Sequence, residues 1–291
     1  MPRVPTPGRM RTRRWLSAVV VSVLAVVVVV LSVLAFQRTQ GTPVEGTPRP
    51  VPSFSATPSA TPDAAPPAPP VTSPAATITV PGAAERFLSA GSGVLWRATA
   101  GACGEVEPLL ERSADGGQTW SDVTPRYLGI GQILGLAAFA GTEAQLIARM
   151  GDACEVQGLR TFTQGRFWEP NADVLAAATY IDPAAPGTVV VGSASREAPC
   201  AAPWGVRATG ATLALICDGT AYALSGDEWQ PVGENAVAVT TTADEVIPAT
   251  IASDCPGVRV GSSCLGTAAP TAPVALTPSE LWLDERIVSI P

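Results

Sequence analysis

The sequence predicts an all-β domain of small β-propeller type, carried behind one transmembrane helix and a proline-rich stalk. Three observations support this reading. Residues 15–36 form an uncharged apolar run, residues 37–77 are dominated by Pro, Ser, Thr and Ala, and residues 78–291 alternate short apolar runs with Gly, Pro, Asp and Asn in a hairpin outline that recurs. The expected division is a basic tail at 1–14, a membrane span at 15–36, a disordered linker at 37–77 and an extracytoplasmic domain at 78–291.

The run WLSAVVVSVLAVVVVVLSVLAF carries no charge, and as a helix at ~1.5 Å per residue it is roughly 33 Å long, enough to cross a bilayer. Arg3, Arg9, Arg11, Arg13 and Arg14 precede it and only Arg38 follows closely. That imbalance keeps the N-terminus in the cytoplasm and places the remainder outside the cell membrane. A cleaved secretory signal competes, with Val33-Leu34-Ala35 as a loose cleavage site, but the run exceeds the usual apolar region of roughly 7–15 residues. The linker that follows buries too little apolar surface to offset the entropy of ordering, so it reads as an extended polyproline-type stalk.

Composition removes several functions. The net charge is -7 with five arginines in the tail, so the remainder is more acidic still. Without a basic patch no counterion-release term favours nucleic acid, which is not expected as a partner. The chain has no His, which excludes a Ser-His-Asp triad, a Cys-His pair and His-ligated zinc or haem. Carboxylate, tyrosine and arginine chemistry remain.

Strands are expected at 94–98, 109–113, 133–139, 145–149, 158–163, 174–180, 188–191, 212–216, 221–225, 236–242, 245–251 and 281–283, with turn signals between nearly all of them. Under this texture lies a degenerate repeat: LLERSADGGQTWSDVTP, LRTFTQGRFWEP, AYALSGDEWQPV and, more weakly, ELWLDERIVSIP. Each copy reads as strand, tight polar turn and short outer strand opening on a bulky residue, the last hairpin of a propeller blade. At ~40–50 residues per blade the domain is expected to hold four or five blades.

The octet Ser113-Ala114-Asp115-Gly116-Gly117-Gln118-Thr119-Trp120 has the S-x-D-x-G-x-T-W pattern. On these residues the chain resembles Asp-box (BNR) β-propeller proteins, including sialidases and exported propellers related to photosystem II assembly and stability factors. Only this copy, with Ser113, Asp115, Gly117, Thr119 and Trp120, is a full match. The resemblance implies a structural turn between the third and fourth strands of a blade. There Asp115 accepts turn N–H groups, Gly116 and Gly117 allow positive φ, and Trp120 covers the seam to the next blade.

Six cysteines in an oxidising setting, without C-x-x-C spacing, favour disulfides over metal ligation, and six allow 15 connectivities. Cys103 and Cys154 lie at equivalent places in successive repeats, which selects a bridge between blades. Cys200 with Cys217 and Cys255 with Cys264 are then local closures.

A sialidase would need three arginines around the substrate carboxylate, a Tyr with a neighbouring Glu, and an Asp acid. Tyr127, Tyr180 and Tyr222 supply the residue type, but the F-R-I-P signature is absent. Glu105 with Glu107, Asp227 with Glu228 and Asp284 with Glu285 read as solvated turns, so no catalytic residue, metal site or cofactor is nominated. Trp96, Trp168, Trp229 and Trp282 read as packing. Trp204, in the loop EAPCAAPWGVRATG, is the candidate ligand contact. The expected role is a membrane-anchored binding or scaffold module for a protein or glycan, with a diverged glycoside hydrolase and an assembly factor for a membrane complex as the alternatives.

Overall fold

A computed structural model describes residues 79–291; the expected basic tail, membrane span and linker at 1–77 lie outside the described residues. Among the described residues no helix is long and apolar enough to cross a membrane.

Six antiparallel sheets follow one another along the chain. Blade one holds β1 (Arg86–Gly91), β2 (Val94–Thr99), β3 (Leu109–Ser113) and β4 (Ser121–Asp122), and blade two holds β5 (Ile130–Ala138), β6 (Ala144–Met150), β7 (Glu155–Thr161) and β8 (Glu169–Pro170). A single helical turn, α1 (Ala172–Ala176), leads into blade three, β9 (Thr179–Ile181), β10 (Thr188–Val191) and β11 (Ala194–Glu197). Blade four is β12 (Trp204–Thr209), β13 (Thr212–Cys217), β14 (Thr220–Ser225) and β15 (Glu228–Glu234). Blade five is β16 (Ala236–Thr241), β17 (Val246–Thr250), β18 (Val258–Val260) and β19 (Ser263–Leu265), and blade six is β20 (Ala275–Leu276), β21 (Glu280–Leu283) and β22 (Arg286–Ser289).

The first strand of each blade touches the first strand of the next, and β20 touches β1, so the first strands surround an axis and the sheets form a closed six-bladed propeller. Six blades replace the expected four or five. Two blades are much shorter than ~40–50 residues: blade three spans only Thr179 to Glu197 and blade six only Ala275 to Ser289. The strand expected at 174–180 is also corrected. Asn171 caps a helical turn there by accepting the Val174 N–H, and only Thr179–Ile181 is extended.

Each of six hydrophobic clusters lies along one seam between neighbouring blades. Trp96 and Leu110 of blade one meet Leu146 and Trp168 of blade two, Ile147 meets Val174 and Ala178 ahead of blade three, and Val189 meets Leu213 and Leu215. Ile216 meets Val239, Val258 meets Leu276 and Leu281, and Leu88 of blade one meets Ala275 and Trp282 of blade six. A middle strand therefore faces a seam on both sides. In β13, Leu213 through Cys217 are all buried, whereas both residues of β4 are exposed.

This up-and-down order fixes two faces. Innermost strands begin on one face, where second-to-third-strand loops and the links between blades also lie; the other face carries first-to-second and third-to-fourth turns. They are called the entry face and the turn face below.

Candidate functional site

The entry face is closed at its axis by groups from opposite sides of the ring. Blades one and four are not neighbours, so a contact between their innermost strands crosses the axis. Gly205 takes φ +64° and breaks the register of β12 between Trp204 and Arg207. Its N–H then donates to Glu85 Oε1 at 3.1 Å, just ahead of β1. Arg207 donates to the Arg86 carbonyl at 2.9 Å, lies 3.8 Å from Glu85 Oε1, and sets its guanidinium 4.7 Å from the Phe87 ring centre. Burial pushes the Glu85 carboxyl above its ordinary value, with Arg207 and the Gly205 N–H acting against it, and pushes Arg207 down. Each side chain is 18% exposed.

Beside this plug a pocket of about 280 Å³ is lined by Val80, Trp204, Val237, Ile251, Pro270 and Val274, among others. Trp204 opens β12 and is 6% exposed, so it forms a wall of the pocket and does not project from a loop. Its Nε1 donates to none of the described residues. Thr271, another lining residue, is held by Asp284, whose Oδ1 accepts from the Thr271 N–H and hydroxyl at 2.8 Å each. Those bonds hold the Asp284 carboxyl below its usual range. A pre-shaped, mainly apolar recess with few polar groups suits an apolar side chain or a short extended segment.

The octet lies between β3 and β4 on the turn face. Asp115 Oδ1 accepts from the Ser113 hydroxyl at 2.7 Å and from the Thr119 and Gln118 N–H groups at 2.9 and 3.1 Å, while Oδ2 accepts from the Thr119 hydroxyl at 2.6 Å. The Thr119 bonds lead in lowering the Asp115 pKa to about 2. Ser113 Oγ accepts the Gly117 N–H at 2.8 Å. Arg97 is 4.1 Å from the Trp120 ring centre and 4.9 Å from that of Trp282. Trp120 therefore borders the seam shared with blade six, not the one shared with blade two. Blade two repeats the turn with other side chains: Thr161 Oγ1 accepts the Gly165 N–H at 3.2 Å and Thr163 Oγ1 the Phe167 N–H at 2.9 Å.

The disulfides pair as the sequence reading expects: Cys103–Cys154 between blades one and two, Cys200–Cys217 at the entry to blade four, and Cys255–Cys264 within blade five. Each has at least one sulfur at a second-to-third-strand connection, so all three brace the entry face. The three tyrosines are not gathered. Tyr127 lies between blades one and two, Tyr180 in β9 and Tyr222 in β14. The innermost strands hold two arginines, Arg86 and Arg207, and no carboxylate. Arg86 is committed to the Asp284 carbonyl at 2.7 Å and to the Trp282 ring at 4.1 Å. Sequence reasoning missed Glu85 and Arg207, because isolated charges beside short strands look like surface residues and their partners are more than a hundred positions away. Asp284, read as part of a solvated turn, instead holds Thr271.

No family model and no curated protein sequence matches the chain. Among solved structures, YCF48 bound to a D1 peptide aligns with a TM-score of 0.36 and 15% identity, over 69% of this chain and 74% of that one. YCF48 from Cyanidioschyzon merolae aligns at 0.28 and 15%, over 67% and 62%. A bifunctional GH43-CE protein from Bacteroides eggerthii aligns at 0.32 and 8%, over 57% and 27%. At these identities the likeness concerns the fold alone.

Proposed function

We propose that this chain is a non-catalytic binding or scaffold module of Asp-box propeller type, tethered to the outside of a cell membrane by residues 15–36, with the entry-face pocket as its recognition site. The observation that carries the reading is the axis itself. A propeller enzyme acting on an anionic sugar needs several uncommitted charged groups there, whereas Glu85 and Arg207 are spent on each other, on the Gly205 N–H and on the Arg86 carbonyl. The tether raises the effective concentration of the module for neighbours on the same membrane.

The test places a photo-crosslinking residue at Val237 or, as a control on the turn face, at Thr212, in full chain expressed in its membrane. The expected result is a stoichiometric adduct with one extracytoplasmic partner from 237 only, lost on Trp204→Ala. Purified protein is also screened with fluorogenic sialosides and common glycosides. Turnover abolished by a single Glu or Tyr substitution overturns the reading.

A further inference from the structure

Four phenylalanines lie in the described residues, and three of them share one tip of the molecule. Phe87 is buried at the axis, but Phe139, Phe162 and Phe167 are 55%, 49% and 70% exposed. Phe139 follows β5 and Phe162 follows β7, so both stand on the turn face of blade two. The register Ala138 to Ala144 to Thr161 sets them two strands apart, which is roughly 9–10 Å. The two turns are joined, Gln164 N–H to the Thr142 carbonyl at 3.0 Å, and the turn bearing Phe167 is fixed by the Thr161 and Thr163 hydroxyls. These rings are held outward on fixed backbone, an arrangement that costs free energy in water and marks a contact surface.

The charges around them identify the occupant. Arg160 lies 4.4 Å from the Phe162 ring centre and 3.2 Å from Glu143. Arg112 of blade one reaches the same tip, donating to the Gly141 carbonyl at 2.8 Å. Arg166, between the phenylalanines, is exposed and in no ion pair with a described residue. Three arginines and one glutamate thus crown this tip in a chain of net charge -7, while the turn-face loops of blades one, three, four and five carry Asp115, Asp182, Asp227 and Asp244. Aromatic rings ringed by cations on projecting turns match an anionic bilayer surface. The rings enter the headgroup boundary, the guanidinium groups meet phosphates, and a fluid surface requires no shape complement.

We infer that the turn tip of blade two is a peripheral contact for anionic lipid, which sets the propeller against the bilayer on its blade-two edge. The inference rests neither on residues 15–36 nor on the pocket. All six cysteines are disulfide-bonded, so Gln164→Cys provides a unique site for a polarity-sensitive dye, with Asp227→Cys on blade four as its counterpart. Full chain is reconstituted in vesicles of phosphatidylcholine alone or in equal parts with phosphatidylglycerol. The expected result is a blue shift and quenching by nitroxide lipid at 164 in the anionic vesicles only, reduced by high salt. Replacing Phe139, Phe162 and Phe167 together by Ser is expected to abolish it with the folded spectrum unchanged. No response at 164, an equal response at 227, or a response that survives the triple replacement overturns the proposal. So does a response that requires added membrane protein, which assigns the tip to a protein partner.

Discussion

Asp115 holds its turn together although it is exposed, because both carboxylate oxygens are already occupied by donors of the turn. The consequence is a pH dependence with a definite sign. On unfolding the carboxyl returns from about 2 to its ordinary 3.8, so stabilisation is complete above 3.8 and is lost as pH falls through the interval to about 2. Thermal unfolding followed through that interval should show a steeper fall in Tm for the wild type than for Asp115→Asn, whose side chain cannot take up the proton. Asp122 and Asp284, also shifted down, supply the slope that remains, and identical slopes would remove Asp115 from the account. Gly117 is the second sensitive position. It holds φ +88°, and a Cβ there would lie 2.8 Å from Ile287 Cγ1 of blade six. Gly117→Ala combines backbone strain with a contact that must yield, and should lower unfolding stability by about 1–3 kcal/mol in a urea titration.

At the scale of elements, most middle strands are legible from their apolar runs, whereas outer strands are legible only where a polar turn and a tryptophan mark them, as in blades one, two and four. A middle strand is covered by a neighbouring blade on both faces, so β13 reads as an apolar run from Leu213 to Cys217, and β6 carries a buried Leu146-Ile147-Ala148 centre. The outer strands β8 and β15 are largely exposed on both faces and carry no periodic signal. Blades three and five, which lack a copy of the turn motif, are absent from the repeat, and blade six enters it only weakly through ELWLDERIVSIP. The helical turn before blade three was lost because apolar residues of VLAAATY suit either state. Its determinant is the Asn171 cap, together with Gly158, where a Cβ would meet Leu175 N at 2.5 Å and exclude the turn from β7. The cysteine pairing was legible from repeat equivalence, and it ranks the disulfides. They close separations of 51, 17 and 9 residues, for which chain-entropy estimates give about 4, 3 and 2.6 kcal/mol. Replacing Cys103 and Cys154 together by Ser should therefore reduce stability more than replacing Cys255 and Cys264, as read from denaturant midpoints at constant m-value.

Taken as a whole, the ring is closed without strand exchange: every strand of blade one comes from one end of the described chain and every strand of blade six from the other. No backbone ladder and no disulfide joins these blades, so side chains hold the closure. Trp282, 5% exposed, packs on Leu88 and Ile287, with Arg86 over its ring at 4.1 Å and Arg97 between it and Trp120. The seam between blades one and two differs, since Trp96 and Trp168 meet edge to face at 6.1 Å and Cys103–Cys154 spans the same pair of blades. Both Trp282→Ala and Trp168→Ala should cost about 3–5 kcal/mol, the range for removing a buried indole, yet they should fail differently. Loss of Trp282 loosens two chain ends that no ladder or disulfide joins. Amides of β1, β20, β21 and β22 should then exchange with solvent well before those of blades two to four. Loss of Trp168 weakens a seam that the disulfide keeps in register, so exchange should rise across the ring without a distinct early group. Hydrogen exchange resolved by peptide on the two variants separates the outcomes, and identical patterns would mean that closure is not held at the Trp282 clasp.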